Sequence, residues 1–428
     1  MIAAVFIVFF VALLLCVPVG IILLISALTP YITTGSFAVN PEYLFRNFVM
    51  AFNNISIVSI PLFIFSGVLM AKGQISKKIY DFFSYFLGKI PGGMPSAVVL
   101  TCLFYGAISG SGPATTAAVG SMTIPMLISL GYEPVFAAAL VAVAGGLGVI
   151  IPPSIPFIMY SDSSGASIGD MFIGGVLPGI LIGLLLIAYT VFSCIKKGED
   201  KEKIYALVDE LRGKGFWPVL KDSFFALLSP VIILGGIYSG IATPTEAACI
   251  SVVYAFIVAV FVYKTISIKD MPDVLLESVR TLCPCIVITG AAAIFAKSIT
   301  LLRVPQAVLE LLGGVANNQV ALLLIINGVL LICGCLIDTG AAVLIMTPIL
   351  LPAVTNIGMN PVHFGIMMVV NLAIGFVTPP VGMNLFVASS LTSIPPMNIA
   401  KRAVPLLIMF FIALMLITFV PEISLLLV

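Results

Sequence analysis

Charge is what this sequence has least of. Asp, Glu, Lys and Arg make up 9% of its 428 residues, where a soluble domain carries about a quarter. A water-soluble surface cannot be made from so few charged groups. Histidine occurs once, at His363. A His-based proton relay or metal cluster has nothing to work with, and the His-Glu-x-x-His or Ser-His constellation that an intramembrane enzyme needs is missing. The chain also lacks a Walker lysine motif and a dinucleotide-binding glycine fingerprint. No basic stripe suggests nucleic acid, and the net charge is only +1. The eight cysteines lie in apolar segments. Cys283 and Cys285 flank one Pro, and Cys333 and Cys335 flank one Gly. Those spacings are too tight for zinc, so the cysteines read as small packing residues.

What is present is hydrocarbon. Apolar residues make up 61% of the chain, and the mean hydropathy is +1.25. Apolar blocks run at about 2–28, 49–71, 94–108, 133–164, 172–195, 222–263, 281–300, 319–336, 361–394 and 403–427. Most reach the roughly 20 residues that cross a hydrocarbon core. They are apolar on all sides and show no period-2 alternation, which argues against a β-barrel. The expected fold is an all-α polytopic protein of the cytoplasmic (inner) membrane. The longest polar loop, 196–221, holds Lys196, Lys197, Lys201, Lys203, Arg212, Lys214 and Lys221. The positive-inside rule places it in the cytoplasm. Counting 2–28, 49–71, 94–108, 133–164 and 172–195 gives five crossings before that loop and an outside N-terminus. The block 222–263 is long enough for two short crossings, which leaves the total open between ten and twelve.

The breakers repeat. Pro152-Pro153 aligns with Pro379-Pro380 at an offset of 227 residues, and the same offset pairs Pro125 with Pro352, Gly131 with Gly358, Pro134 with Pro361 and Gly148 with Gly375. Chance alignment of two apolar stretches would match Leu and Val rather than Pro and Gly. The chain is therefore expected to hold two structural repeats, 1–195 and 222–428, joined by the basic loop. Each carries a re-entrant hairpin, at about 109–130 and 337–357, and a helix broken at Pro-Pro, at about 133–164 and 361–394. An odd number of crossings per half makes the repeat an inverted one, with a site near the midplane at the interface.

Breakers at membrane depth free backbone carbonyls that protein, water or an ion must satisfy. Ser109-Gly-Ser-Gly-Pro-Ala-Thr115 with Gly148 through Ser154, and Gly334 through Gly340 with Gly375 through Asn384, each suit an oxygen cage for Na⁺. Asp338 lies well inside an apolar region. A carboxylate there costs at least about 2.5 kcal/mol, which points to ion or substrate binding, and a hairpin cap is compatible with that role. Thr243-Pro-Thr-Glu246 fits a capping box instead. Lys72 and Lys297 end apolar blocks and suit snorkelling to the interface. His363, beside Pro361, reads as structural. Segments 73–90 and 301–316 have the periodic apolar faces of helices lying at the interface.

Together these pieces resemble the large membrane (M) subunit of a tripartite ATP-independent periplasmic (TRAP) transporter, of the ion-transporter superfamily. The resemblance covers nearly the whole chain. It rests on Ile60-Pro-Leu-Phe-Ile-Phe-Ser-Gly67, Ile108-Ser-Gly-Ser-Gly-Pro-Ala, Gly148 through Ser154, Gly240 through Ala248, Asp338, Pro361-Val-His-Phe-Gly365 and Thr378-Pro-Pro-Val-Gly382. It implies a scaffold, an elevator-type transport domain and Na⁺-coupled import of a carboxylate, sialic acid being favoured over a C4-dicarboxylate. It implies no enzyme activity. It also implies a periplasmic solute-binding protein and a small membrane subunit of about four spans, expected as a separate chain because this one starts directly with an apolar helix. Carried onto this sequence, Na⁺ contacts fall on Ser109, Ser111, Gly148 and Pro152, and on Gly334, Asp338, Gly375 and Thr378. Substrate contacts fall on Ser111, Thr115, Ser154, Thr339 and Asn384. Pro113 at one tip and Asp-Thr-Gly at 338–340 depart from the family pattern. A stand-alone Na⁺/dicarboxylate or anion symporter of the same superfamily is the alternative.

Overall fold

The computed structural model describes residues 1–34, 40–313 and 318–428, and every regular element among them is helical. Eight of these helices are long and apolar enough to span a membrane: Ile55–Lys72, Ile168–Lys197, Phe216–Tyr238, Pro244–Val262, Ile268–Leu301, Gln319–Leu336, Thr339–Asn356 and Pro396–Phe419. A helix satisfies its own backbone hydrogen bonds, which is what permits so apolar a chain to cross lipid. The fold class is that of an all-α polytopic membrane protein.

Several boundaries differ from the expected blocks. The stretch 2–28 is two helices, Ile2–Leu14 and Val19–Thr34, packed against each other. The chain turns between them at Cys16, whose φ is +55°, just before Pro18. The block 222–263 resolves into Phe216–Tyr238 and Pro244–Ile257 with its continuation to Val262. The capping box forms there: Thr243 Oγ1 accepts from Glu246 N at 3.3 Å, and Glu246 Oε2 accepts from Thr243 N at 2.8 Å. The stretch 94–108, counted as a crossing, is the first partner of a helix pair. Gly93–Ser109 and Gly112–Ser129 meet at Gly110-Ser111 and pack together. The corresponding second pair is Gln319–Leu336 and Thr339–Asn356, meeting at Ile337-Asp338. Each tip thus lies at the middle of a long apolar stretch rather than at its start.

Two helices are interrupted where Pro-Pro was expected to break them. Pro134–Gly145 and Ile155–Ser164 flank a short 3₁₀ turn, Gly146–Val149, and an irregular stretch through Ser154. Pro361–Gly375 and Met383–Thr392 flank residues 376–382. Both Pro-Pro peptide bonds are cis. These broken helices form the centre of the molecule. Ala137 through Ala144 are completely buried, as are nearly all residues from Phe364 to Ala373. Small side chains permit this close approach of helix to helix.

Around that centre the helices pack as two groups. The helix pairs and broken helices pack with Ile168–Lys197 and Pro396–Phe419. Val19–Thr34, Ser59–Lys72, Pro244–Ile257 and Met271–Leu301 form the second group. Ile75–Leu87 buries Ile75, Ile79 and Tyr80 on one face and links the two groups, touching both Gly93–Ser109 and Ser59–Lys72 as well as Phe216–Tyr238. Val304–Gly313 packs on Thr339–Asn356 in a similar way. Residues 314–316 of the expected interfacial segment lie outside the described residues. The polar loop folds into Lys201–Gly213, started by Asp200, whose carboxylate accepts from Lys203 N at 3.4 Å. It is tied to the Ile75–Leu87 helix by two Arg212 hydrogen bonds to the Tyr85 carbonyl, at 3.0 and 3.1 Å.

Candidate functional site: two helix tips against two breaks

At the first tip the chain must turn within two residues. Gly110 supplies the left-handed conformation, with φ +61°. Its carbonyl accepts a hydrogen bond from Ile155 N at 3.4 Å, so the tip is joined directly to the first break. The Ser111 carbonyl accepts from Thr115 N at 3.0 Å and from Thr115 Oγ1 at 2.8 Å. Ser109 Oγ lies 2.8 Å from Thr115 Oγ1. Three oxygens, Ser109 Oγ, Ser111 O and Thr115 Oγ1, therefore form one cluster. Gly148 closes it, since a Cβ there would lie 2.4 Å from Thr115 Oγ1 and 2.7 Å from Ser111 O. Ser154 caps the second arm of the broken helix: its Oγ accepts from Phe157 N at 3.3 Å and donates to the Val149 carbonyl. Pro153 forms the wall beneath Gly110, where a Cβ would come within 2.8 Å of its carbonyl oxygen.

The second tip meets the second break more tightly. A Cβ on Gly375 would lie 2.2 Å from both C and O of Gly334. Val381 N donates to the Cys335 carbonyl at 3.2 Å. Asp338 is the N-cap of Thr339–Asn356, its Oδ2 accepting from Gly340 N at 2.9 Å. Half-buried and at a helix N-terminus, the carboxylate sits in the positive end of the helix dipole. Thr378 Oγ1 donates to the Ile374 carbonyl at 2.9 Å. Thr339 Oγ1 is buried without a hydrogen-bond partner. Asn384 donates from Nδ2 to the Ala142 carbonyl at 2.9 Å, while its Oδ1 is buried and unpartnered.

The two corners are interlocked. Gly112 of the first tip rests on the Phe376 ring of the second break, and Gly340 of the second tip rests on Met159 beyond the first break. Of the twelve positions named from sequence, Ser109, Ser111, Thr115 and Gly148 come together, as do Gly334 and Gly375. Thr378 and Ser154 are spent on local backbone, and one end of Asn384 on the Ala142 carbonyl of the first broken helix. The set contains no cluster of three or more His, Cys, Asp or Glu that could hold a metal ion, nor does the rest of the described structure. Hydroxyl and carbonyl oxygens at unwound helix ends are instead the donor set of an alkali cation.

The structure adds residues that the sequence had not singled out. Gly106 and Gly67 bring neighbouring helices onto the site, their Cβ positions lying 2.8 Å from Gly148 Cα and 3.3 Å from Ser109 Cα. Gly67 lay within the motif Ile60–Gly67 but carried no role. Asn327 and Asn371 form a buried network, with Asn371 Nδ2 donating to Asn327 Oδ1 at 2.7 Å and Asn327 Nδ2 to Thr418 Oγ1 at 3.3 Å. Two asparagines inside apolar runs were the available signal. Lys72 does not merely reach for the interface. Its ammonium pairs with Glu277 at 3.0 Å. Both line a cavity of about 580 Å³ whose opposite wall is Ser109, Ser111 and Pro113 of the first tip.

A family model described as "Tripartite ATP-independent periplasmic transporter, DctM component" matches residues 6–423. The chain is 42% identical over 407 residues to the isethionate TRAP transporter permease protein DctMQ of Oleidesulfovibrio alaskensis, covering 95% of this chain and 63% of that one. It thus spans less than two thirds of that relative. Over 371 residues it is 38% identical to the C4-dicarboxylate TRAP transporter large permease protein DctM of Pseudomonas aeruginosa, covering 86% of this chain and 85% of that one. It is 33% identical over 410 residues to the sialic acid TRAP transporter large permease protein SiaM of Vibrio cholerae, covering 96% and 94% of the two chains.

Proposed function

The chain belongs to the DctM family of large TRAP transporter permease proteins, and from that premise we propose that it imports a small organic anion by Na⁺-coupled secondary transport. It is a multi-pass protein of the inner membrane. Its relatives are permeases, not enzymes.

The observation that carries the proposal is the doubled contact of a helix tip with a helix break: Gly148 on Ser111 and Thr115, and Gly375 on Gly334. The first contact gathers backbone and hydroxyl oxygens and the second backbone oxygen, both at interrupted helices, where unwound carbonyls and helix C-terminal ends favour a cation. One Na⁺ site is assigned to Ser109, Ser111, Gly148 and Pro152, the other to Gly334, Asp338, Gly375 and Thr378. The helix pairs act as re-entrant hairpins of an inverted repeat. The group built on the broken helices is the moving part, and the group holding Ser59–Lys72 and Met271–Leu301 is the scaffold. Ser111, Thr115, Ser154, Thr339 and Asn384 face the substrate, with the unpartnered Thr339 Oγ1 and Asn384 Oδ1 supporting that role. Each Na⁺ carried inward gains about 2.3 kcal/mol per 100 mV of membrane potential.

Relatives are named for isethionate, C4-dicarboxylates and sialic acid. A sulfonate and a carboxylate share one recognition problem, a compact anion carried on a small polar body. The substrate class is therefore an organic carboxylate or sulfonate, with sialic acid one candidate among the three. A small membrane subunit and a periplasmic binding protein complete the system.

The test is uptake of isethionate, succinate and sialic acid into proteoliposomes holding this chain and its small subunit, with the binding protein added outside. Uptake of at least one anion should require an inward Na⁺ gradient and the binding protein. Flux indifferent to the Na⁺ gradient would make the protein a channel. Equal uptake without the binding protein would make it a stand-alone symporter.

A further inference from the structure

We propose that Lys72 is the anion-recognising cation of the large cavity beside the first tip, and that Glu277 is its resident counter-ion, displaced by the substrate; this rests on the transport reading above.

The cavity lies between the two helix groups. On one side stand Ser109, Ser111 and Pro113, and on the other Lys72, Glu277 and Thr281. Its volume of about 580 Å³ is within the range of small-ligand sites. Among the residues lining it, Lys72 is the only cation and Glu277 the only anion. The first tip contributes hydroxyls, carbonyls and apolar groups, none of which balances a negative charge. A carboxylate or sulfonate leaving water for this space needs an opposite charge within reach. Among the lining side chains only Lys72 supplies one.

The geometry of the pair suits exchange. Lys72 ends the helix Ser59–Lys72, and Glu277 sits near the start of Met271–Leu301, so two separate helices bring them to 3.0 Å. Their side chains are 34% and 54% exposed. A pair this wet contributes little to folding. It does hold the ammonium at the cavity wall and neutralises it while the cavity contains only water. An anion entering the cavity takes the place of the Glu277 carboxylate, and the freed carboxylate turns to solvent. Glu277 thereby competes with the substrate, and the two residues act with opposite sign on affinity.

That opposition is the test. The complete system is reconstituted with its small subunit and binding protein, and KM and kcat for uptake of isethionate, succinate and sialic acid are measured. K72M should raise KM about tenfold or more with a smaller change in kcat, and K72R should recover most of the loss. E277Q should lower KM, because the competing charge is gone. The double variant K72M/E277Q should behave like K72M alone. A purely structural pair predicts the reverse pattern, with each single variant harmed and the neutral double variant restored. That pattern, or an unchanged KM in K72M, overturns the proposal. E277Q and K72R retain the lysine or its charge and decide the matter if K72M fails to fold. Wild-type uptake of none of the three anions would overturn the transport reading and this one with it, whereas normal wild-type uptake beside an indifferent K72M overturns the role of Lys72 alone.

Discussion

Asp338 joins two roles in one carboxylate. As the N-cap it accepts from Gly340 N at 2.9 Å, a contact worth about 1 kcal/mol that Asn can reproduce and Ala cannot. As a proposed cation ligand it supplies negative charge that neither replacement has. D338N should therefore keep the thermal stability of the wild-type protein in detergent, while D338A loses about 1 kcal/mol. Both should raise the Na⁺ concentration for half-maximal uptake by about tenfold, the equivalent of ~1.4 kcal/mol. Unchanged Na⁺ activation in D338N would reduce the residue to a cap. At this scale the sequence was read well where chemistry is local. The capping box of Thr243 and Glu246 needs only three residues of spacing, and it is present as expected. The partner of Lys72 was not legible, because it lies on a helix far away in the chain and no local pattern names Glu277.

Among the elements, the helix tips and breaks depend on glycines whose missing side chains are the contact. A Cβ at position 148 would strike the Thr115 hydroxyl and the Ser111 carbonyl, and one at 375 would strike the Gly334 backbone at 2.2 Å. The Gly334 backbone cannot yield as a flexible side chain could. G148A and G375A should each cost about 1–3 kcal/mol through overpacking and suppress Na⁺-driven uptake. G328A is the control. That glycine lies inside the helix Gln319–Leu336 with nothing within 4 Å of the added carbon, so alanine there should be neutral or stabilise by up to about 1 kcal/mol. Thermal unfolding and uptake of the three variants check the contrast, and wild-type uptake by both G148A and G375A would refute the close contacts. The breaks themselves were legible, because Pro-Pro and glycine interrupt a helix whatever surrounds them. That Gly93–Ser109 packs against Gly112–Ser129, and Gln319–Leu336 against Thr339–Asn356, was not legible, because apolar composition does not say which helix a helix packs on.

For the molecule as a whole, one charged junction draws three distant segments together. Glu133 precedes the first broken helix, and its Oε2 meets both Lys197 and Arg402 at 3.2 Å. Partial burial pushes the Glu133 carboxyl up, but the Lys197 hydrogen bond and the charges of Arg402 and Lys197 outweigh it and leave the group below its ordinary range. A lowered folded-state pKa means that the stabilisation is present above the unfolded value, about 4.3, and is lost as pH falls through the folded one. E133Q should thus be less stable than wild type at pH 7, by no more than about 1 kcal/mol since the pair is half exposed. The difference should fade as pH drops below about 4. Melting temperatures of both proteins at the two pH values measure it, and a gap that persists in acid would show that charge is not its source.

Composition and breaker spacing by themselves determined that this protein lies in the membrane, that it is helical, and that two glycine- and proline-rich corners interrupt its helices. Those properties follow from hydrophobic burial and backbone sterics, which act over a few residues at a time. Only the tertiary structure decided which tip meets which break, that Gly112 rests on Phe376 and Gly340 on Met159, and that Lys72 pairs with Glu277 at the wall of a cavity. Such contacts depend on how closely distant helices can approach, and that is set by the shapes of both surfaces at once.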